Sequence, residues 1–420
     1  MKRILDFLKS VLDKGFFHLL SANFIIGIVG FGSQLFVAKI LSPLELGQIK
    51  TLQSFVNVAI LIAGFGFNTS VLKMCSEERS DSEKGAILKG SLVWSIIPIV
   101  ATLFALTALS AGGILSPDPG IKKWMPLYMW TIPSGAVIAL FMAYLQALKK
   151  IQEMALLQIA IRCAGVICLV FFTYSLGLPG FIACSVIIGY VAIIPLYAKA
   201  KDALKEKSDY MPFFSQSFYY ASWSVAANVV STVGSFMDIF MLNYLASDRA
   251  GLGYYSLATI FIMGMSYITS TVQSIATPYF SEKSGSIREF LRAVNKYQKI
   301  MITGSFVTSI LAAIAVPAFV TFVYGADYAP ANDYFRILIF KHFFWSCFAL
   351  LGSAILGLGK MKYNFIATSL SIGIAMALSY FLIHRHGFIG AAYAQAVTYF
   401  LVLIIMNLMF KKVTGDMARQ

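Results

Sequence analysis

Charged side chains placed inside long apolar stretches are where the chemistry of this sequence must begin. Arg162, Lys341, Lys50 and Arg336 are the cations, and Asp238 is the one acid clearly within such a stretch. A charge at the centre of a membrane helix costs about 2.5–3.5 kcal/mol on insertion scales, so each calls for a functional reason. Arg162 lies eight residues past Met154, a depth of about 12 Å at the helical rise, too far for its head to reach an interface easily. Lys341 is comparably deep, whereas Arg336, Lys50 and Lys39 are shallower. Arg162 and Lys341 are expected to face a cavity. Asp238 is expected either to neutralise a buried cation or to take part in ion coupling.

Uncharged polar residues recur in the same stretches at helical spacing. Ser217, Ser224, Asn228, Ser231, Ser235 and Asp238 share one face, with Ala221 in the same stripe. Ser256, Thr259, Ser266, Ser270 and Gln273 form a second face, and Lys50, Gln53, Asn57, Gly64 and Asn68 a third. A weaker one joins Asn23, Gly27, Gly30 and Gln34. Small and hydroxyl residues also serve tight helix packing, and that explains a single serine more readily than a ligand does. A long face that adds Asn, Gln and a charge needs water or polar partners, so the pattern as a whole predicts a water-filled central cavity.

Bond-making chemistry has no comparable signature. No Gly-rich loop ending in Lys-Ser or Lys-Thr is present, so ATP hydrolysis is not expected. His18, His342, His384 and His386 are scattered, and five cysteines show neither metal spacing nor a disulfide framework. Paired carboxylates of the kind glycosyl chemistry uses are missing. Neither cofactor nor metal is expected.

The elements that must position these residues are membrane helices. The chain is 59% hydrophobic and only 12% charged, with a mean hydropathy of +0.77, outside the range of soluble domains. About twelve apolar segments long enough to cross a bilayer follow one another, near 16–39, 47–72, 86–111, 124–148, 154–175, 179–199, 216–245, 251–275, 298–323, 333–357, 362–384 and 388–411. With the N-terminus placed in the cytoplasm, the inner connections hold 24 Lys and Arg and the outer ones five, which fits the positive-inside rule with both termini cytoplasmic. The net charge of +14 is thereby assigned to lipid headgroups, and no nucleic-acid partner is called for. Met1–Lys14 reads as a short amphipathic lead-in, with no small-residue cleavage site before the first span, which is therefore expected to be retained.

The plan is also duplicated. Gly177-Leu178-Pro179-Gly180 and Gly387-Phe388-Ile389-Gly390 stand 210 residues apart, as do Lys150 and Lys360. Leu46-Gly47 is echoed by Leu252-Gly253, and Ser76-Glu77 by Ser281-Glu282. Duplicated spans are the usual build of a secondary transporter. The expected architecture is an all-α polytopic membrane protein, two six-helix bundles related by a pseudo-two-fold along the membrane normal around a central cavity. The N-terminal lobe is placed at 1–200, a cytoplasmic linker at 201–215 and the C-terminal lobe at 216–420.

Several patches then point to a family. Ala38-Lys39-Ile40-Leu41-Ser42-Pro43-Leu44-Glu45-Leu46-Gly47, Gly64-Phe65-Gly66, Asp238, Gly253-Tyr254-Tyr255-Ser256-Leu257-Ala258, and Gly387 with Gly390-Ala391-Ala392 occur in order along nearly the whole chain. In these the sequence resembles the polysaccharide-repeat-unit (O-antigen, Wzx-type) flippases of the multidrug/oligosaccharidyl-lipid/polysaccharide exporter superfamily. The resemblance implies a cavity lined by spans one, two, seven and eight. It implies a substrate glycan linked through pyrophosphate to undecaprenol, moved across a bacterial inner membrane by alternating access. The cavity cations would then hold the diphosphate. Membrane lipids, a polysaccharide polymerase and glycosyltransferases are the partners to be expected. An ion-coupled multidrug antiporter of the same superfamily is the alternative, with Asp238 its strongest argument. A membrane polymerase or glycosyltransferase is the second alternative.

Overall fold

A computed structural model describes residues 16–205, 209–246 and 248–418; the lead-in expected over Met1–Lys14 lies outside the described residues. The helices are α1 (Phe16–Ile40), α2 (Pro43–Gly64), α3 (Phe67–Cys75), α4 (Asp81–Trp94), α5 (Ile96–Ala111), α6 (Pro119–Tyr128) and α7 (Thr131–Ala147). They continue with α8 (Ile151–Lys205), α9 (Phe214–Ser235), α10 (Met237–Leu245), α11 (Arg249–Glu282), α12 (Ile287–Tyr324), α13 (Pro330–Gly357) and α14 (Met361–Ala418). No strand occurs among the described residues.

Among the described residues, seven helical stretches are long and apolar enough to cross a membrane, and nine if the bent pairs α6–α7 and α9–α10 each count once. Two of these stretches are far too long for one crossing. Helix α8 has 55 residues and α14 has 58, on the order of 80–90 Å if straight, against a hydrocarbon core of about 30 Å. Each leaves helical geometry once, at Gly177 (φ 64, ψ −143) and at Gly387 (φ 58, ψ −134), conformations that favour glycine. In α8 the arms then double back, since a Cβ on Gly165 would lie 3.2 Å from Ile188. Counting two arms for each, and α1 with its shorter apolar run Phe24–Ile40, is consistent with the twelve segments expected.

Local chemistry sets the helix ends. Ser80 and Glu83 form a reciprocal capping box at the start of α4. Asp118 caps α6 by accepting from the Gly120 N–H at 2.7 Å, with Pro119 in the first turn. Helix α12, at 38 residues, outreaches the hydrocarbon core. Its first turns bury Phe290, Ala293 and Val294 and expose Arg288, Arg292, Lys296 and Lys299.

The chain packs as two compact units. One comprises the residues up to Leu41 with Gln48–Phe236, and the other Ser42–Gly47 with Met237 onward. The first unit has one core around Leu52, Met125 and Ile132 and another around Val71, Ile87, Leu88 and Leu145. The second unit closes around Phe280, Phe290, Leu350 and Ala354. This division falls later than the 201–215 linker read from the sequence, because α9 belongs with the first unit. The break between α2 and α3 lies flat against it: a Cβ on Gly66 would sit 2.3 Å from the Ala221 carbonyl oxygen. The Phe65 and Phe218 rings stack at 5.3 Å. Arg79 donates to Gln216 at 3.3 Å and lies over the Phe213 ring. It also donates to Glu77 at 2.9 Å, and that guanidinium holds the Glu77 carboxyl below the usual carboxylate range. In the second unit the echoed Leu46-Gly47 and Leu252-Gly253 meet, and a Cβ on Gly253 would fall 1.7 Å from the Pro43 carbonyl oxygen.

Candidate functional site

In the first unit the deep cation Arg162 is exposed, on the first arm of α8, and rests on α1. A Cβ at Gly30 would lie 2.7 Å from its Nη2, so the missing side chain makes room for the guanidinium. Lys50 on α2 donates to the Gln34 side-chain oxygen on α1. Gln53 is half-buried and Asn57 exposed on the same helix. The side chain of Asn23 lies outside the described residues.

The stripe on α9 serves two purposes. Its N-terminal half packs against α3. Ser217 is fully buried with its hydroxyl 3.3 Å from the Met74 sulfur, and Ser224 lies 2.6 Å from the Thr69 hydroxyl. Its other half is open: Asn228, Ser231 and Ser235 are exposed. Asn228 donates to Ser224 at 3.1 Å, and Ser235 donates to the Ser231 carbonyl of its own helix. Asn228 and Asn68 are brought together on the wall of a cavity of about 30 Å³ beside Gly64 and Gly66, room for one or two waters.

In the second unit Asp238 is buried in the first turn of α10. Its Oδ2 accepts from the Tyr255 hydroxyl at 2.7 Å and its Oδ1 from the Ile239 N–H at 3.0 Å. The partner of this acid is therefore a phenol and a backbone amide on the described residues. Lys341 is half-buried with its ammonium 5.3 Å from the centre of the Tyr399 ring, a cation–π contact across two helices. Arg336 is well exposed, 3.6 Å from Asp333 one turn earlier. Ser266 donates back to its own helix at Ile262, Ser270 is exposed, and Gln273 ties α11 to the Ala349 carbonyl of α13 at 2.9 Å.

The arrangement thus offers positive charge inside membrane segments, small polar hollows and helices broken at glycine. It is equipment for binding and movement. The chain matches the family described as polysaccharide biosynthesis protein over residues 12–284, which is more than half of its length. It belongs to that family. A protein of Shigella flexneri named as an O-antigen transporter is 21% identical over 60% of this chain, and the match spans 61% of that relative's length. A protein of Haloferax volcanii named as the low-salt glycan biosynthesis flippase Agl15 is 23% identical, over 90% of this chain and 79% of the relative. Among solved structures, the lipid II flippase MurJ in an inward closed conformation superposes with a TM-score of 0.76 at 15% identity, over 95% of this chain and 90% of that one. An inward-facing multidrug resistance MATE transporter of the MOP superfamily gives 0.74 at 13% identity, over 96% and 99%. The fold of this family member is accordingly that of the MOP transporters, and the chain is a multi-pass membrane protein.

The sequence had no direct signal for Tyr255 and Tyr399 as the partners of Asp238 and Lys341, since each pair joins separate helices. Gly30 stood in a polar stripe, but its role as a seat for Arg162 needed the packing of α1 on α8. An apolar groove on α8 was missed altogether, because it is made of small residues that read as ordinary helix packing.

Proposed function

We propose that this chain is a flippase for a glycan carried on undecaprenyl pyrophosphate, working by alternating access in the bacterial inner membrane with both termini cytoplasmic. The observation that carries the reading is Arg162, an exposed guanidinium about 12 Å inside the spans, seated on Gly30 in a member of a polysaccharide biosynthesis family. A diphosphate moving through hydrocarbon needs such a cation, and bidentate hydrogen bonding suits guanidinium to phosphate. Lys341 and Lys50 supply further positive charge, and Arg336 lies nearer the outer surface. The polar side chains of α1, α2, α9 and α11 would hydrate the sugars while the lipid tail stays in hydrocarbon. The names of the Shigella and Haloferax relatives support this substrate class. The protein acts as a transporter and not as an enzyme, with a polymerase and glycosyltransferases as neighbours in the same assembly line.

Deleting the gene tests the reading: lipid-linked sugar should accumulate and surface polymer should be lost. Unchanged polymer with new sensitivity to cationic dyes would favour the antiporter. In a complementation assay Arg162→Ala and Lys341→Ala should each lower polymer export by about tenfold, the equivalent of one charge-assisted contact at 1.4 kcal/mol, at normal membrane abundance. Full export by the double variant would remove both from the site.

A second reading rests on Asp238. Its buried carboxylate bridges α10 to Tyr255, where uptake of a proton or cation would change that contact. Asp238→Asn keeps the shape and removes the charge. If Asp238 couples an ion, the variant's transport rate should lose its dependence on pH or on sodium; an unchanged dependence removes it from coupling.

A further inference from the structure

The first turns of α12 carry Arg288, Arg292, Lys296 and Lys299, all exposed. Steps of four, four and three put them on one face of the helix, opposite Phe290, Val294 and Met301, which are buried in the core of the second unit. No ion pair joins any of the four among the described residues. The adjacent acid Glu289 is taken by Lys283, which donates to it at 3.1 Å. Arg288, Arg292 and Lys296 follow one another at i,i+4, where like charges repel. The stripe is therefore stabilised by an anion brought from outside the chain.

Farther along, the same face turns apolar. Phe306, Ile310 and Ile314 are exposed on it, within a run of exposed apolar residues from Ile302 to Phe322. That run measures about 30 Å at the helical rise, the thickness of bilayer hydrocarbon. The hydrocarbon edge then falls beside Ile302, which sets Lys299 and Lys296 about 5 and 9 Å outside it, at headgroup level. Arg292 reaches back toward that level along its stem. More cations gather at this end of the unit. The Phe410 ring of α14 lies 6.5 Å from Phe290, and Leu358 and Tyr363 close the same cluster. Lys411 and Lys412 follow Phe410, and Lys360 and Lys362 flank the start of α14, all exposed.

The first unit treats the matching helix differently. Helix α4 opens with Ser80 and Glu83 as α12 opens with Ser286 and Glu289. In that register Arg288, Arg292, Lys296 and Lys299 correspond to Ser82, Ala86, Gly90 and Val93, all uncharged. Ala86 and Gly90 are buried, and a Cβ on Gly90 would lie 3.0 Å from the Tyr210 Cβ. The chain itself covers the middle of that face, whereas the counterpart on α12 is open and basic.

We propose that this end of the second unit, centred on the α12 stripe, is a binding surface for anionic phospholipid headgroups. Arg292, Lys296 and Lys299 hold the phosphate, while the acyl chains lie along Phe306 and Ile310. An acidic protein would match the charge, but only a lipid also matches the apolar face that continues from it at hydrocarbon depth. The inference needs a membrane-spanning chain and stands apart from the flippase reading.

The test measures lipid retention by the purified full chain in native mass spectrometry, with phosphatidylglycerol and phosphatidylcholine as probes. Wild type should retain phosphatidylglycerol in preference. The triple variant Arg292→Gln, Lys296→Gln, Lys299→Gln should weaken its retention at least about tenfold, since each basic residue near a surface contributes roughly fivefold. Phosphatidylcholine should be unaffected. Lys73→Gln, Lys150→Gln, Lys199→Gln removes the same charge from the first unit, where Lys73 and Lys199 already pair with Glu77 and Glu153, and should retain phosphatidylglycerol as wild type does. Equal losses in the two variants would mean a diffuse effect of net charge and would overturn the surface, as would equal retention of both lipids by wild type. A second measurement needs no variant. Lys296 and Lys299 are labelled with an amine reagent in native membranes, before and after a salt wash that strips peripheral proteins. Unchanged labelling supports lipid as the occupant; labelling that rises about tenfold after the wash would assign the stripe to an acidic protein and overturn the proposal.

Discussion

Helices α8 and α14 carry the same turn and put it to different uses. In each, the first glycine of the turn takes a positive φ, 64° at Gly177 and 58° at Gly387. In each, the glycine at the fourth position is pressed against the carbonyl oxygen eight residues earlier, Phe172 for Gly180 and Leu382 for Gly390. Both hairpins also begin at matched helix ends. Leu148-Lys149-Lys150 and Leu358-Gly359-Lys360 make the same pair of returning hydrogen bonds, with Lys150 donating to Leu145 and Lys360 to Ile355. The surroundings then diverge. On the second arms, Gln395, Ala396 and Thr398 of α14 are buried where the matched Ser185, Val186 and Ile188 of α8 are half-buried. The second arm of α14 is accordingly the more deeply packed of the two. Helix α8 leaves Leu176, Ile187 and Val191 exposed. Repetition marks what the architecture requires, and departure from it marks what the function has altered.

The largest expected effect breaks the shared part. An alanine Cβ at position 180 would lie 2.1 Å from the Phe172 oxygen, and one at position 390 would lie 1.9 Å from the Leu382 oxygen. Neither backbone oxygen can swing aside, so the arms must separate. Gly180→Ala and Gly390→Ala should each cost about 3 kcal/mol, the upper part of the range for overpacking, read as a shift in detergent-denaturation midpoint of the purified protein. The comparison requires both to act alike. If Gly390→Ala unfolds its unit and Gly180→Ala leaves stability unchanged, the two turns are not equivalent and the 210-residue correspondence fails.

Much of this plan was legible in the residues themselves. The repeated glycine turn, the apolar runs and the asymmetry of Lys and Arg reveal helices, their duplication and a membrane setting, because each depends on periodicity or composition alone. The polar stripe on α9 was legible as a face, but not its division of labour. Hydroxyls can satisfy themselves on their own helix or on a neighbour, and only the approach of α3 decides that Ser217 and Ser224 pack while Asn228 and Ser231 remain open. Asp238 stood out as a buried acid, yet its partner Tyr255 sits 17 residues away across a helix break, a pairing that no spacing rule contains. The apolar groove on α8 was the least visible of all. It consists of missing volume, and Ala, Gly and Cys look alike whether they admit another helix or a ligand.

The smallest expected effect concerns the helix ends that open the two hairpins. Lys149 holds φ 59° where its counterpart Gly359 holds φ 70°, so the same left-handed cap is made once by a residue with a Cβ and once without. A left-handed L-residue bears about 1–2 kcal/mol of strain, and glycine's extra freedom in the unfolded chain offsets roughly 0.5–1 kcal/mol of its relief. Lys149→Gly should therefore stabilise the protein by about 0.5–1 kcal/mol, and Gly359→Lys should destabilise it by a similar amount. The ammonium of Lys149 is exposed, so loss of its packing has little weight in the balance. Opposite shifts in the denaturation midpoint, with transport unchanged in the Lys149 variant, are the outcome expected if both caps are one device. A destabilised Lys149→Gly would mean that the lysine is held in place by its charge at the membrane surface, and that the two hairpins part company from their first residue.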